Sequence, residues 1–228
     1  MNMKKLISLI LLLIIAAGIF LSLAEIPFGL PKTKVGNYYI SKGIGDTGSV
    51  NIITSVVLSY RGFDTLGEVT VLFIATLGLG TILATVKRKS GEKAASSSLI
   101  LSTGCKFIFP FILLFGAYIF LHGHLTPGGG FQGGAIIASG FLLVYLGCPK
   151  KRINKDRFKI TESIAGLIFV IIGFLGLAFG GYFLFNFFPK GVPNTLLSAG
   201  IIPIIYIAIG FKVGSELAGI IDNLIEET

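Results

Sequence analysis

Long apolar runs alternate with short polar stretches along this chain. The runs cover residues 6–24, 69–86, 107–121, 135–148, 164–188 and 196–211. A helix that crosses a bilayer needs about 20 mainly apolar residues, and six such helices fit. The fourth run is short and has to borrow length from the glycine-rich stretch before it. The pattern predicts an all-α integral membrane protein with about six transmembrane helices. A shorter segment, "SVNIITSVVLSY" (49–60), follows an extramembrane loop at 25–48 and precedes the second span. The first run, within "MKKLISLILLLIIAAGIFLSLAE", has the basic start, apolar core and small-residue ending (Ser22-Leu23-Ala24) of a signal peptide;. Its 19 residues exceed the usual apolar core of roughly 7–15 residues, so a retained span is expected, with cleavage as the alternative;.

Composition agrees with the pattern, since 53% of residues are hydrophobic and 13% charged, against roughly 25% charged in soluble domains. In a soluble protein the net charge of +8 would suggest nucleic acid as partner;. Placement excludes that reading. Basic residues gather at Lys4-Lys5, in "KRKSGEK" (87–93) and in "KKRINKDRFK" (150–159), whereas the loops 122–130 and 189–195 carry one lysine between them. Six spans with both termini cytoplasmic put all three clusters on the inner side of the cell membrane, as the positive-inside bias requires. The partner implied is a lipid bilayer, with anionic headgroups as a secondary contact. Cys105 and Cys148, near the cytoplasmic ends of spans three and four, make no metal motif and read as packing residues;.

The chain divides into residues 1–88 with two spans, a polar linker at 89–98, and residues 99–228 with four spans. Glycines at Gly176/Gly180 and Gly210/Gly214 have the spacing that lets helix backbones approach;.

Three stretches carry candidate chemistry. "RGFDTLGEVTVLF" (61–73) sets Arg61, Asp64 and Glu68 at the outer mouth of span two. Thr65 and Glu68 fit a capping box at a helix start. A carboxylate in the first turn of a membrane helix is also a functional candidate, because ionisable groups there are costly. Spacing alone leaves both readings open. "PIIYIAIGFKVGSELAG" (203–219) puts Lys212 and Glu216 four residues apart in or near the inner half of span six, able to neutralise one another;. For Lys212 a buried role and snorkelling stand level, while Lys106 suits snorkelling. "HGHLTPGGGFQGG" (122–134) holds His122, His124, Pro127, Gly128, Gly129, Gly130, Gln132, Gly133 and Gly134. It lacks the strand and acidic residue of a dinucleotide fingerprint and the Lys-Ser/Thr of a P-loop. No Cys, Asp or Glu lies near the histidines to complete a metal set. The simple reading is a helix end, with histidines on the last carbonyls of span three and Pro127 as the stop. Irregular backbone at membrane depth must be buried in protein or line a wet cavity. The hinge therefore suits close interface packing or a proton and ion route, packing being the simpler.

These stretches together bear a resemblance. "GCKFIFPFILLFGAYIFLHGHLTPGGGFQGGAIIASGFLLVYL", followed by "IIPIIYIAIGFKVGSELAGI", resembles the B subunit (MnhB/MrpB family) of multisubunit Mrp cation/proton antiporters. Residues 36–80 are similar to the E-type subunit of archaeal membrane-bound hydrogenases, a module that also ends the large Mrp A subunit. Here the two stand fused in one short polypeptide. The resemblance implies a non-catalytic membrane subunit of an Mrp-type module with no cofactor of its own, helping to move Na⁺ and H⁺. It implies other Mrp-type membrane subunits as partners. In a complex I-related respiratory assembly, hydrogenase-like or sulfur-reductase membrane-anchor subunits and peripheral iron–sulfur subunits would join them. The detached E-type module favours that archaeal respiratory setting over a free-standing Mrp antiporter. By the same resemblance Glu68 would lie on an ion path. The rival reading is a purely structural scaffold, with Glu68 as a cap and the hinge as glue.

Overall fold

The computed structural model describes residues 3–25, 33–85, 97–148 and 155–227. Its elements are α1 (Met3–Ala24), α2 (Thr33–Thr47), α3 (Ile52–Ser55), a π-helical turn (Val56–Tyr60), α4 (Gly62–Thr85), α5 (Leu99–Leu121), α6 (Gly130–Gly147), α7 (Lys155–Gly180) and α8 (Ile202–Glu227). Among the described residues, six helices are long and apolar enough to cross a membrane: α1, α4, α5, α6, α7 and α8. The chain forms two compact units, Met1–Asn37 and Tyr38–Thr228. The first holds α1, a continuous Leu/Ile-rich helix, and the start of α2.

In the second unit α8 is the hub, packing against α4, α5, α6 and α7. Its buried face carries Ile205, Ile209 and Val213, which join Leu58, Val69 and Phe169 in one core. The glycines of the hinge make this packing close. A Cβ on Gly133 would stand 2.7 Å from the Gly116 carbonyl of α5. One on Gly134 would stand 2.9 Å from both the Gly210 carbonyl and the Gly214 nitrogen of α8. Small residues at these crossings let three helix backbones meet, which is how membrane helices associate without a hydrophobic drive between them.

Several boundaries differ from the apolar runs. The 25–48 stretch, expected as a loop, holds α2. The fourth span takes its extra length from the hinge, as expected, starting at Gly130. The fifth and sixth runs are displaced. Gly181, at φ 78°, ends α7 after Gly180, and α8 begins only at Ile202. The intervening chain turns through left-handed Ala199 and Gly200 (φ 66° and 62°). Asn186 fastens this turn, its Nδ2 donating to the Ala199 carbonyl at 3.1 Å and its Oδ1 accepting from the Ile201 amide at 3.0 Å. Pro203 then stands in the first turn of α8, where a missing N–H costs nothing;. Gly176 and Gly180 do not meet another helix: their faces are covered by Leu184 and Phe185 of the returning chain. An apolar run continues straight through a turn like this, so hydropathy alone misplaces the ends.

Cys105 and Cys148 lie together, Sγ to Sγ 3.2 Å, where α5 starts and α6 ends. Lys106 is exposed.

Candidate functional site

The later start of α8 moves Lys212 to the middle of the span, while Glu216, one turn further on, stays in its inner half;. Lys212 falls ten residues after Ile202 and fifteen before Glu227. At a rise of 1.5 Å per residue it is about 15 Å along the helix, half of the roughly 30 Å hydrocarbon thickness. Snorkelling is therefore set aside for this lysine. Its Nζ stands 3.5 Å from the Glu216 carboxylate and 3.6 Å from Glu162 on α7, and it lies 5.0 Å from the centroid of the Phe73 ring on α4. The Glu216 side chain has no solvent exposure, and neither carboxylate oxygen accepts a hydrogen bond.

Two carboxylates and one ammonium thus meet within the helical bundle. Burying charges costs several kcal/mol each even after relaxation, roughly repaid only by close pairing. A cluster held at that cost inside a membrane marks function by default. The helices α4 and α7 both pack on α8 and leave a cavity of about 750 Å³ between them, lined by Phe73, Thr76, Thr81, Glu162, Ser215 and Glu216 among others. Sequence reasoning misses Glu162. It follows the basic stretch 150–159 and reads as the end of the polar loop, whereas α7 starts at Lys155 and carries Glu162 about two turns into the helix;.

The Arg61–Asp64–Glu68 group does not join this cluster. Arg61 and Asp64 form an ion pair whose side chains are 63% and 52% exposed, and Glu68 is exposed and lines neither cavity beside the cluster. The capping-box reading fails. Helix α4 begins at Gly62, so Thr65 is already inside it, and the Thr65 hydroxyl donates to the Val57 carbonyl at 2.6 Å. That bond fastens α4 to the π-helical turn before it.

The hinge is stapled by the segment 49–54. Asn51 caps α3 through its Oδ1, which accepts from the Ile53 amide at 3.1 Å. Its Nδ2 donates to the carbonyls of Gly123 (2.8 Å) and Thr126 (3.0 Å). Thr54 donates to the Gly123 carbonyl at 2.7 Å and shares a 2.7 Å hydrogen bond with Tyr206 of α8. The Ser49 hydroxyl donates to the His124 carbonyl at 2.9 Å. His122 caps α5 as expected, its ring stacked on Tyr118 at 4.3 Å with Nδ1 3.1 Å from the Tyr118 carbonyl. His124 does not cover the helix end. It is fully buried, facing the carbonyls of Thr195 and Leu196 without completing a hydrogen bond. Burial holds its imidazole below the usual pKa, so the ring is neutral at pH 7;. Pro127 is exposed. Gln132 Oε1 lies where a Cβ on Gly129 would be, at 2.7 Å, and a Cβ on Gly128 would meet the Ile119 carbonyl at the same distance. Within this chain, then, the hinge is a packed joint.

The class these features define is a multi-span helical membrane protein with a glycine-packed joint and a Glu–Lys–Glu cluster between its helices. Comparison with known proteins identifies the family. Residues 100–219 match the family model "domain related to MnhB subunit of Na+/H+ antiporter". Residues 4–97 match the MbhE model, the E subunit of MBH. The chain belongs to the MnhB-related family, with an MbhE-like segment ahead of that domain. It is 34% identical over 198 residues to the uncharacterized protein MJ1307 of Methanocaldococcus jannaschii, covering 75% of this chain and 74% of that one. A probable K(+)/H(+) antiporter A/B subunit of Rhizobium meliloti is 28% identical over 181 residues, 67% of this chain but only 18% of that larger protein. A chain in the structure of the membrane-bound sulfane sulfur reductase (MBS), an archaeal respiratory membrane complex, superposes with a TM-score of 0.78 at 48% identity. The match covers 97% of this chain and 98% of that one. The pairing of the two segments in one polypeptide is therefore shared.

Proposed function

We propose that this protein is a non-catalytic membrane subunit of an Mrp-type cation/proton antiporter module, and that its buried Glu162–Lys212–Glu216 cluster lies on the ion path. The observation that carries the reading is the mid-span ammonium between two carboxylates, a costly arrangement that packing alone does not require;. Near-complete coverage at 48% identity by a chain of an archaeal respiratory complex supports that setting over a free-standing antiporter. Other Mrp-type membrane subunits would then cover the exposed apolar faces of α4, α5 and α7. Peripheral iron–sulfur subunits would join at the level of the whole complex, with Na⁺ and H⁺ as the ions moved and no cofactor held by this chain. Residues 1–88 and 99–228 would act as its two modules, joined through 89–98.

A complex isolated through a tag on this chain should contain large antiporter-type subunits, and in sealed vesicles it should move protons in response to a sodium gradient. A chain that isolates alone, or a complex indifferent to sodium, would overturn the reading.

The proposal includes orientation, with both termini cytoplasmic in the plasma membrane and the 150–159 basic cluster inside;. An Arg152→Cys variant should be labelled by a membrane-impermeant maleimide only after cells are opened, above the parent chain with its two native cysteines. Labelling in intact cells would reverse the topology.

A further inference from the structure

Cys105 and Cys148 have no part in the charged cluster or the hinge, yet the fold brings their sulfurs together across 43 residues of sequence. The packing around them arranges the meeting. Gly147 has no side chain, and a Cβ there would stand 2.5 Å from the Cys105 sulfur and 2.8 Å from the Cys105 Cβ. The last residue of α6 therefore settles onto α5, and Cys148 follows it directly. Both thiols turn to one acceptor, the Ser102 carbonyl, at 3.3 Å from Cys105 Sγ and 3.7 Å from Cys148 Sγ. The Ser97 hydroxyl donates to the Gly147 carbonyl at 2.8 Å, which ties the end of the polar linker to the same point.

At 3.2 Å the two sulfurs lie inside ordinary van der Waals contact, and a movement of about 1 Å brings them to the length of a disulfide bond;. Exposure divides their roles. Cys105 is 1% exposed, whereas Cys148 is half-buried at the helix end. A reagent arriving from water meets Cys148 first, and the neighbouring sulfur is what reaches Cys105. One accessible thiol beside one shielded thiol is the arrangement of an attacking and a resolving cysteine. Basic residues follow both in sequence, Lys106 in one case and Lys150, Lys151 and Arg152 in the other, and positive charge draws an acidic reagent;.

We propose that Cys105 and Cys148 form a redox modification site, which a small anionic disulfide of the glutathione type oxidises to an internal disulfide. Cys148 Sγ, as thiolate, attacks the reagent's S–S bond and releases one thiolate, leaving a mixed disulfide on Cys148. Cys105 Sγ, as thiolate, then attacks the Cys148 sulfur, and the second reagent thiolate leaves. The two protons given up by the cysteines end on the two released thiols, so one disulfide is reduced as another forms. An excess of small thiol reverses both steps. The new bond joins the start of α5 to the end of α6, opposite the hinge, and fastens this helix pair at both ends.

The test is the intact mass of this chain after the purified complex is incubated with glutathione disulfide and quenched in acid. Wild type should become lighter by two hydrogens and carry no glutathione, and dithiothreitol should restore the original mass. Cys105→Ser removes the resolving sulfur, so Cys148 should hold one glutathione as a mixed disulfide. In Cys148→Ser the buried Cys105 should remain a free thiol. Native gels establish that both variants assemble, and the wild-type result stands without them. Wild type that keeps both thiols, or that ends with glutathione attached, overturns the site. Assembled Cys105→Ser that takes up no glutathione overturns it as well, because Cys148 is then not the point of entry.

Discussion

Replacing Lys212 with Met should leave the complex assembled and reduce sodium-linked proton movement by roughly two orders of magnitude, the scale on which loss of a positioned proton-transfer group is felt. Methionine is unbranched and adaptable, so it can fill the channel that the lysine stem occupies beside Gly166 and Phe73;. The packing of α8 rests on Ile205, Ile209 and Val213, none of which depends on the charge. What disappears is the only ammonium within 4 Å of Glu162 and Glu216 among the described residues. The buried Glu216 carboxylate would lose its counter-ion, and removing one partner of a buried pair costs about 3–5 kcal/mol;. Without the ammonium the cluster cannot pass charge along the span. Native gels would check assembly, and a variant that fails to assemble would show instead that the ammonium is structural.

Gly130→Leu should prevent assembly of the complex, whereas His122→Asn should not. A Cβ on Gly130 would stand 2.6 Å from the Cβ and Cγ2 of Ile209 and 2.9 Å from the Tyr206 carbonyl. One of these obstacles is backbone and the other is a fully buried branched side chain, so neither can yield cheaply. Overpacking a well-filled core typically costs about 1–3 kcal/mol, and a full leucine at a backbone crossing exceeds the usual case. The insertion would push α6 off α8, and with it the Asn51 and Thr54 bonds to the Gly123 carbonyl that join the N-terminal segment to the hinge. His122 instead stacks on Tyr118 and reaches a carbonyl of its own helix end, contacts that Asn can partly replace. Native gel analysis of both variants decides it: equal assembly of Gly130→Leu and wild type would make the hinge a loosely packed loop.

Hydropathy made the membrane class and the six spans legible, because burial in lipid imposes long apolar runs. It misplaced α7 and α8, because apolar residues such as Leu184, Ala199 and Ile201 are buried in the turn between them just as they would be in a helix. Lys212 and Glu216 could be picked out by spacing, since i and i+4 share a helix face. Glu162 could not, since only tertiary packing brings α7 to that face of α8. The emphasis on Glu68 rests on resemblance, and in this chain the residue is exposed and makes no ion pair with the cluster among the described residues. The spacing of the hinge glycines suggests close backbone approach, and the approaches lie within this chain, on Gly116, Ile209 and Gly214. The proximity of Cys105 to Cys148 had no signal at all in a spacing of 43 residues.

The claim that the Glu162–Lys212–Glu216 cluster lies on the ion path is tested most directly by the initial rate of proton movement driven by an imposed sodium gradient. Sealed vesicles should contain equal amounts of assembled wild-type and Lys212→Met complex. The account predicts a normal rate for wild type and a rate near that of protein-free vesicles for the variant. A Lys212→Met complex that moves protons as fast as wild type would contradict it.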